Sequence, residues 1–278
     1  MIPYKIAIAF PTGPCFGVER ALKITYKILD EKKSVYMLHP LIHNPRVIGE
    51  LEKKGVKVVS PEEIPPNSYV ILSAHGTPVS VKKLVESKTN NVVDAVCPLV
   101  EHLHSRALEL LQEDRFLIIA ADPHHQETRA LVSILPKDRY ALWGEWEKIP
   151  MNVPLGVVFQ TTFEYKKVPQ VIEKLYTISD DIRIVNTICP ATRGRQGVIE
   201  RVAGDYELII VVGGKNSANT GRLYEKAKRY ADAIWIEDKN EIDVAKIRGY
   251  RSYLIVGGAS TPIEHLIEVY LHFKKMIQ

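Results

Sequence analysis

Asn91–Leu111 reads NVVDAVCPLVEHLHSRALELL. A short β-branched run meets a loop holding Cys97 and Pro98, and an amphipathic pattern follows, so the stretch is a strand, a loop and a helix. The same unit lies on both sides of it. Upstream, YKIAIAF leads into the Cys15 turn and a helix from about Val18, SVYMLH into VIGELEKKG, and YVILSAHGTP into VSVKKLVES. Downstream, RFLIIAADPHHQ leads into ETRALVSIL and LGVVFQTT into YKKVPQVIEKLY. IRIVNTICP, ELIIVVGGKNSANT and SYLIVGGASTP open the last three units. Short extra strands are expected at KVVS, RYALW and AIWIED. Strands alternating with helices predict an α/β fold of parallel sheets with right-handed crossovers.

The cysteines divide this series. Cys97 follows Cys15 by 82 residues and Cys189 follows Cys97 by 92. His43, His125 and Ser217 each lie 28 residues after the cysteine that opens their group. In the next loop His75, Thr161 and Ser260 lie 60, 64 and 71 residues after theirs. The spacing predicts three similar domains, 10–97, 98–189 and 190–278, with the strand at 1–9 able to join the sheet of the third. So long a period indicates duplicated domains and not a solenoid.

Composition excludes several classes. The chain is 46% hydrophobic and 25% charged with a formal charge of +4, which is ordinary for a soluble protein and suits anionic small molecules. It has no Lys/Arg block and no aromatic ladder, so nucleic acid is not an expected partner. No apolar stretch approaches a membrane span, and the N-terminal residues lack the marks of a signal peptide; a cytoplasmic protein is expected. Three distant cysteines, an odd count, argue against a disulfide framework.

Ligands of open parallel sheets gather beyond the C-terminal strand ends, where all of these loops lie. Three domains aiming those ends at one axis would bring three thiols together among imidazoles, hydroxyls and amides. Three thiolates have two uses. With one histidine they complete a structural zinc site. Without a fourth thiolate they hold an iron–sulfur cube that keeps one iron open as a Lewis acid and electron source. The cube accounts for both the missing cysteine and the polar loops, whereas zinc accounts only for the first.

The fragments GPCFGVERA, IHN, SAHG, DAVCPLV, QTT, NTICPATRGRQ, GGKNSANTGRL and GGASTP, in this order along nearly the whole chain, resemble the 4-hydroxy-3-methylbut-2-enyl diphosphate reductases, the LytB or IspH family. The resemblance implies a pseudo-threefold α/β trefoil around a central cavity. It implies a 4Fe–4S cluster on Cys15, Cys97 and Cys189. It implies reductive removal of an allylic hydroxyl to give isopentenyl and dimethylallyl diphosphates, with ferredoxin or flavodoxin as electron donor. Substrate-site histidines fall on His43 and His75, diphosphate-binding residues on Ser217, Asn219 and Ser260, and a threonine near the hydroxyl on Thr161. Thr261–Glu264 has the spacing of a capping box with Pro262 at the first helical position, which sets Ser260 beside a helix start.

The second-domain text departs from the family pattern. The family carries His, any residue, then a proton-relaying acid; here DPHHQETRA offers His125 with Glu127, or His124 with Gln126. Only the first register supplies an acid, and it is the favoured one. Ala218 stands where a diphosphate-side serine is usual. The remaining histidines, at 39, 102, 104, 265 and 272, read as packed or solvated positions. A paralogue acting on another allylic substrate stays open, as does a zinc-binding protein.

Overall fold

A computed structural model describes residues 4–31, 34–42 and 44–277. In chain order the elements are β1 (Lys5–Ile8), α1 (Phe16–Asp30), β2 (Val35–Met37), α2 (Pro45–Lys53), β3 (Val56–Val58), β4 (Tyr69–Leu72), α3 (Val79–Glu86), β5 (Val92–Asp94), α4 (Pro98–Gln112), β6 (Phe116–Ala120) and α5 (Gln126–Val132). They continue as β7 (Tyr140–Leu142), β8 (Leu155–Phe159), α6 (Val168–Tyr176), β9 (Ile182–Ile184), α7 (Pro190–Val202), β10 (Leu208–Val212), α8 (Ala218–Ala227), β11 (Asp232–Ile236), α9 (Val244–Ile247), β12 (Ser252–Gly257) and α10 (Ile263–Ile277). The three short extra strands are β3, β7 and β11.

The strands form three four-stranded sheets, ordered β3-β2-β4-β5, β7-β6-β8-β9 and β11-β10-β12-β1, and every pairing is parallel. The three orders are one pattern. β1, the first strand of the chain, takes the place that β5 and β9 take in their own sheets, pairing with β12 from Lys5↔Ser252 to Ile8↔Ile255.

The chain divides into two compact units. One comprises Met1–Glu19, Ile42–Lys53 and Pro190–Gln278; the other comprises Arg20–Leu41 and Lys54–Cys189. In both, the central strands are continuous apolar runs because helices cover both of their faces. In the second unit Leu117, Ile119 and Val158 pack on Leu103, Ala107 and Leu110 of α4. The alternate residues Phe116, Ile118, Val157 and Phe159 pack on Val171 and Leu175 of α6. The first unit repeats this. Ile209, Val211, Leu254 and Val256 meet Val198 and Ile199 of α7 and Leu223 of α8, whereas Leu208, Ile210, Tyr253 and Ile255 meet Leu266, Val269 and Phe273 of α10.

Two local expectations change. Helix α1 starts at Phe16, because the Cys15 carbonyl already accepts the Glu19 N–H (2.9 Å). Thr261 does not head a capping box. Its hydroxyl donates to the Val212 carbonyl at 3.0 Å, which joins the loop after β12 to the end of β10, and α10 begins at Ile263.

Candidate functional site

The three cysteines occupy equivalent positions. Each directly precedes a long helix, α1, α4 or α7. Each donates its backbone N–H to a carbonyl two residues past the end of the neighbouring strand: Cys15 to Ala259 (3.0 Å), Cys97 to Ala74 (3.0 Å) and Cys189 to Thr161 (2.9 Å). Those acceptors are Thr161 itself and the residues just before His75 and Ser260. One backbone hydrogen bond therefore ties each cysteine turn to the loop carrying a predicted substrate residue.

The three cysteines form no disulfide among the described residues, and each is half-buried. Among the described residues, no group of three or more His, Cys, Asp or Glu side chains is assembled for a metal ion. The donor set itself suits an iron–sulfur group: three soft sulfur ligands, none spent in a disulfide, each at a helix start where the backbone favours negative charge.

In the second unit the structure brings Glu127 and Thr161 together. Glu127 lies in the first turn of α5 and is 1% exposed. Its Oε1 accepts the Thr161 N–H (2.7 Å) and its Oε2 the Thr161 hydroxyl (2.6 Å). Because Thr161 also receives the Cys189 N–H on its carbonyl, acid, hydroxyl and cysteine turn form one connected piece.

His125 caps α5, its Nδ1 accepting the Glu127 N–H (3.2 Å). Acceptance at Nδ1 puts the proton of a neutral ring on Nε2. The His125 ring stands edge-on to that of His75, with centroids 5.8 Å apart. His124 is exposed, and its N–H donates to Asp122. Gln126 turns to the SAHG loop, where its Nε2 donates to Ser73 Oγ (2.9 Å) and the Gly76 carbonyl (3.2 Å). Gly76 has φ +89°, and a Cβ there would stand 3.0 Å from Ala130 Cβ and 3.7 Å from the His104 ring, so the turn needs glycine. Burial pushes the His104 imidazole below its ordinary pKa, while Asp94 pulls the other way.

In the first unit Ser217 caps α8, its hydroxyl oxygen accepting the Thr220 N–H (3.3 Å). Asn219 is 8% exposed, and its Nδ2 meets no acceptor among the described residues. A buried amide donor left so costs about 1–3 kcal/mol, and an anionic ligand would satisfy it. Ser260 is buried, and its carbonyl accepts from Asn44 Nδ2 (2.9 Å). Asn44 Oδ1 in turn receives the Val47 N–H (3.3 Å) and caps α2. His43, the residue before Asn44, lies outside the described residues. Arg46 secures α2 further, donating to Glu268 (2.9 Å) and Asp238 (3.4 Å). Burial, with Arg46 close by, lowers the pKa of His265, which stands 3.6 Å from Glu50.

The sequence alone assigns no role to Asn44 or Arg195. Asn44 sits inside the IHN fragment, and Arg195 inside NTICPATRGRQ, so the signal was present in the fragments.

The model of the family described as LytB protein matches residues 6–274. A relative from Dictyoglomus turgidum, named 4-hydroxy-3-methylbut-2-enyl diphosphate reductase, is 35% identical over 275 residues, spanning 98% of this chain and 97% of its own. A solved structure described as (E)-4-hydroxy-3-methyl-but-2-enyl diphosphate reductase, the terminal enzyme of the non-mevalonate pathway, is 31% identical with a TM-score of 0.71, covering 98% and 99% of the two chains. The structure of E-1-hydroxy-2-methyl-but-2-enyl-4-diphosphate reductase from Plasmodium falciparum shares the fold with a TM-score of 0.90 at 24% identity, over 97% of this chain and 87% of that one. The sequence units, the cysteine turns and the full-length match agree: this chain belongs to the LytB family.

Proposed function

We propose that this protein reduces (E)-4-hydroxy-3-methylbut-2-enyl diphosphate, consuming two electrons and two protons, releasing the allylic hydroxyl as water and yielding isopentenyl and dimethylallyl diphosphates. The observation that carries the reading is the buried Glu127 carboxylate, bonded to both the N–H and the hydroxyl of Thr161 in the loop pinned to Cys189. A 4Fe–4S cluster on Cys15, Cys97 and Cys189 supplies, when bound, the electrons and the Lewis acidity. Glu127, once protonated, delivers that proton to the departing hydroxyl, and Thr161 orients the hydroxyl and keeps the acid in place. His43, His75 and His125 bind the substrate, with Nε2–H of His125 as a donor. Ser217, Asn219 and Ser260 hold the diphosphate, for which neutral donors at the start of α8 are suited.

The segments 10–97, 98–189 and 190–278 act as three duplicated domains of a trefoil about this site. Ferredoxin or flavodoxin delivers the electrons, and the enzyme works in the cytoplasm. Among the described residues no helix is long and apolar enough to cross a membrane.

The test is anaerobic purification and reconstitution, followed by iron, sulfide and zinc analysis and turnover of the diphosphate with reduced methyl viologen. A coloured protein with iron and sulfide in equal amounts that consumes the substrate supports the reading. A colourless, zinc-loaded protein overturns it, and a loaded protein that leaves this substrate untouched points to a different allylic alcohol. Cys→Ser at 15, 97 or 189 is expected to reduce or abolish loading.

A further inference from the structure

Cys15 sits in a turn, Pro11-Thr12-Gly13-Pro14, that has few backbone anchors of its own. Pro11 and Pro14 carry no N–H. The Thr12 hydroxyl oxygen is buried and has no partner among the described residues. Gly13 adopts φ +86°, a conformation that costs any residue with a Cβ. The turn is nevertheless held, on one side by the Cys15 N–H on Ala259 and on the other by Arg195.

Arg195 lies in the second turn of α7 and is 5% exposed. Its Nη2 donates to the Gly13 carbonyl, 182 residues away in the chain, and its Nη1 to the Ala191 carbonyl (3.2 Å). Around it Ala9, Pro11, Val198, Leu223 and Val256 line a small cavity that is mostly apolar. A guanidinium stays protonated in such surroundings, and its field is screened less than at a surface. Two of its donors are satisfied by the Gly13 and Ala191 carbonyls, which links the Cys15 turn to α7.

We infer that Arg195 is a positioning residue for the Cys15 turn and that it supplies a fixed positive charge beside it. The charge part rests on the reading that Cys15 ligates a cluster; the positioning part does not. A thiolate-ligated cluster would be electron-rich, so a buried cation bonded to Gly13, two residues before the ligand Cys15, would make its reduction easier. The fork of the guanidinium reaches both Gly13 and its own helix, which a lysine can do only in part.

The experiment compares wild type with Arg195→Met, Arg195→Lys and Arg195→Gln as full chains. Amide hydrogen exchange is followed before loading, and chelator-driven iron release and the midpoint potential after anaerobic loading. In Arg195→Met the peptide containing Cys15 is expected to exchange ~10- to 100-fold faster, the loss of one hydrogen bond to a charged group. Peptides containing Cys97 and Cys189 are expected to keep their wild-type rates. Iron release quickens and the potential falls; Arg195→Lys restores the potential and part of the retention. A folded Arg195→Met with wild-type exchange, iron release and potential overturns the proposal. If Arg195→Met does not fold, Arg195→Gln decides, since it keeps a donor but no charge: a lowered potential supports the proposal and an unchanged one overturns it. Failure of the wild-type chain to take up iron and sulfide defeats the proposed function instead, and exchange in the unloaded chains still decides the positioning role.

Discussion

Replacing Glu127 by glutamine separates chemistry from architecture. The carboxylate is buried, and both of its oxygens accept hydrogen bonds from Thr161, at 2.7 and 2.6 Å. Glutamine has the same shape. Its carbonyl oxygen can keep the Thr161 N–H, and its NH₂ can donate to a Thr161 hydroxyl that has turned its lone pair inward. Two charge-assisted bonds become two neutral ones, a loss of about 1–2 kcal/mol, part of which is recovered because no carboxylate is buried. Urea unfolding should therefore place Glu127→Gln within ~2 kcal/mol of wild type. The amide has no proton to give, so turnover of hydroxymethylbutenyl diphosphate should fall by about 10²- to 10⁴-fold. The assay is anaerobic turnover with reduced methyl viologen, alongside the absorption spectrum of the loaded protein. Turnover within about tenfold of wild type, with an unchanged spectrum, would refute the assignment of Glu127 as proton donor.

Three further outcomes follow from other parts of the structure. Asn44→Ala removes the cap of α2 and the bond to the Ser260 carbonyl and should cost about 0.5–2 kcal/mol in urea unfolding, with KM raised more than kcat is lowered; a wild-type KM would detach Ser260 from diphosphate binding. Gly76→Ala combines a left-handed backbone with a 3.0 Å approach to Ala130 and should cost about 1–3 kcal/mol, read from the urea midpoint. His104 and His265 are held below the ordinary value of 6.5, so the unfolded chain takes up protons first as pH falls. Their effect is absent well above 6.5 and grows as pH drops through that value toward the folded pKa values. The urea midpoint should therefore decline more steeply between about pH 7 and 5 in wild type than in a His104→Gln/His265→Gln double variant, and a parallel decline would contradict the assignment.

The repeating unit was legible because its determinants are local. A β-branched run, a small-residue loop and an amphipathic helix each have their own period, and the cysteine intervals count the units. The favoured pairing of His125 with Glu127 rested on the chemical need for an acid. In the structure Glu127 is buried against Thr161 and His124 is exposed. What escaped reading joins residues far apart in the chain. Arg195 meets Gly13 across 182 positions, and Asn44 meets Ser260 across 216, and no local pattern announces either partner. The Thr261–Glu264 spacing misled for the converse reason. The hydroxyl had a local use available, but the carbonyl of Val212, 49 residues earlier, took it.

The place of β1 bears on how the molecule is made. Its partner is β12, so the sheet of β10, β11 and β12 gains its fourth member from the opposite end of the chain. During synthesis the strands of the other two sheets emerge and can pair in order, while Lys5–Ile8 waits with its edge unsatisfied until Ser252–Gly257 arrives. The acceptor of the Cys15 N–H, Ala259, comes later still. Of the three cysteine turns, that of Cys15 is made first and is the last to meet its backbone partner.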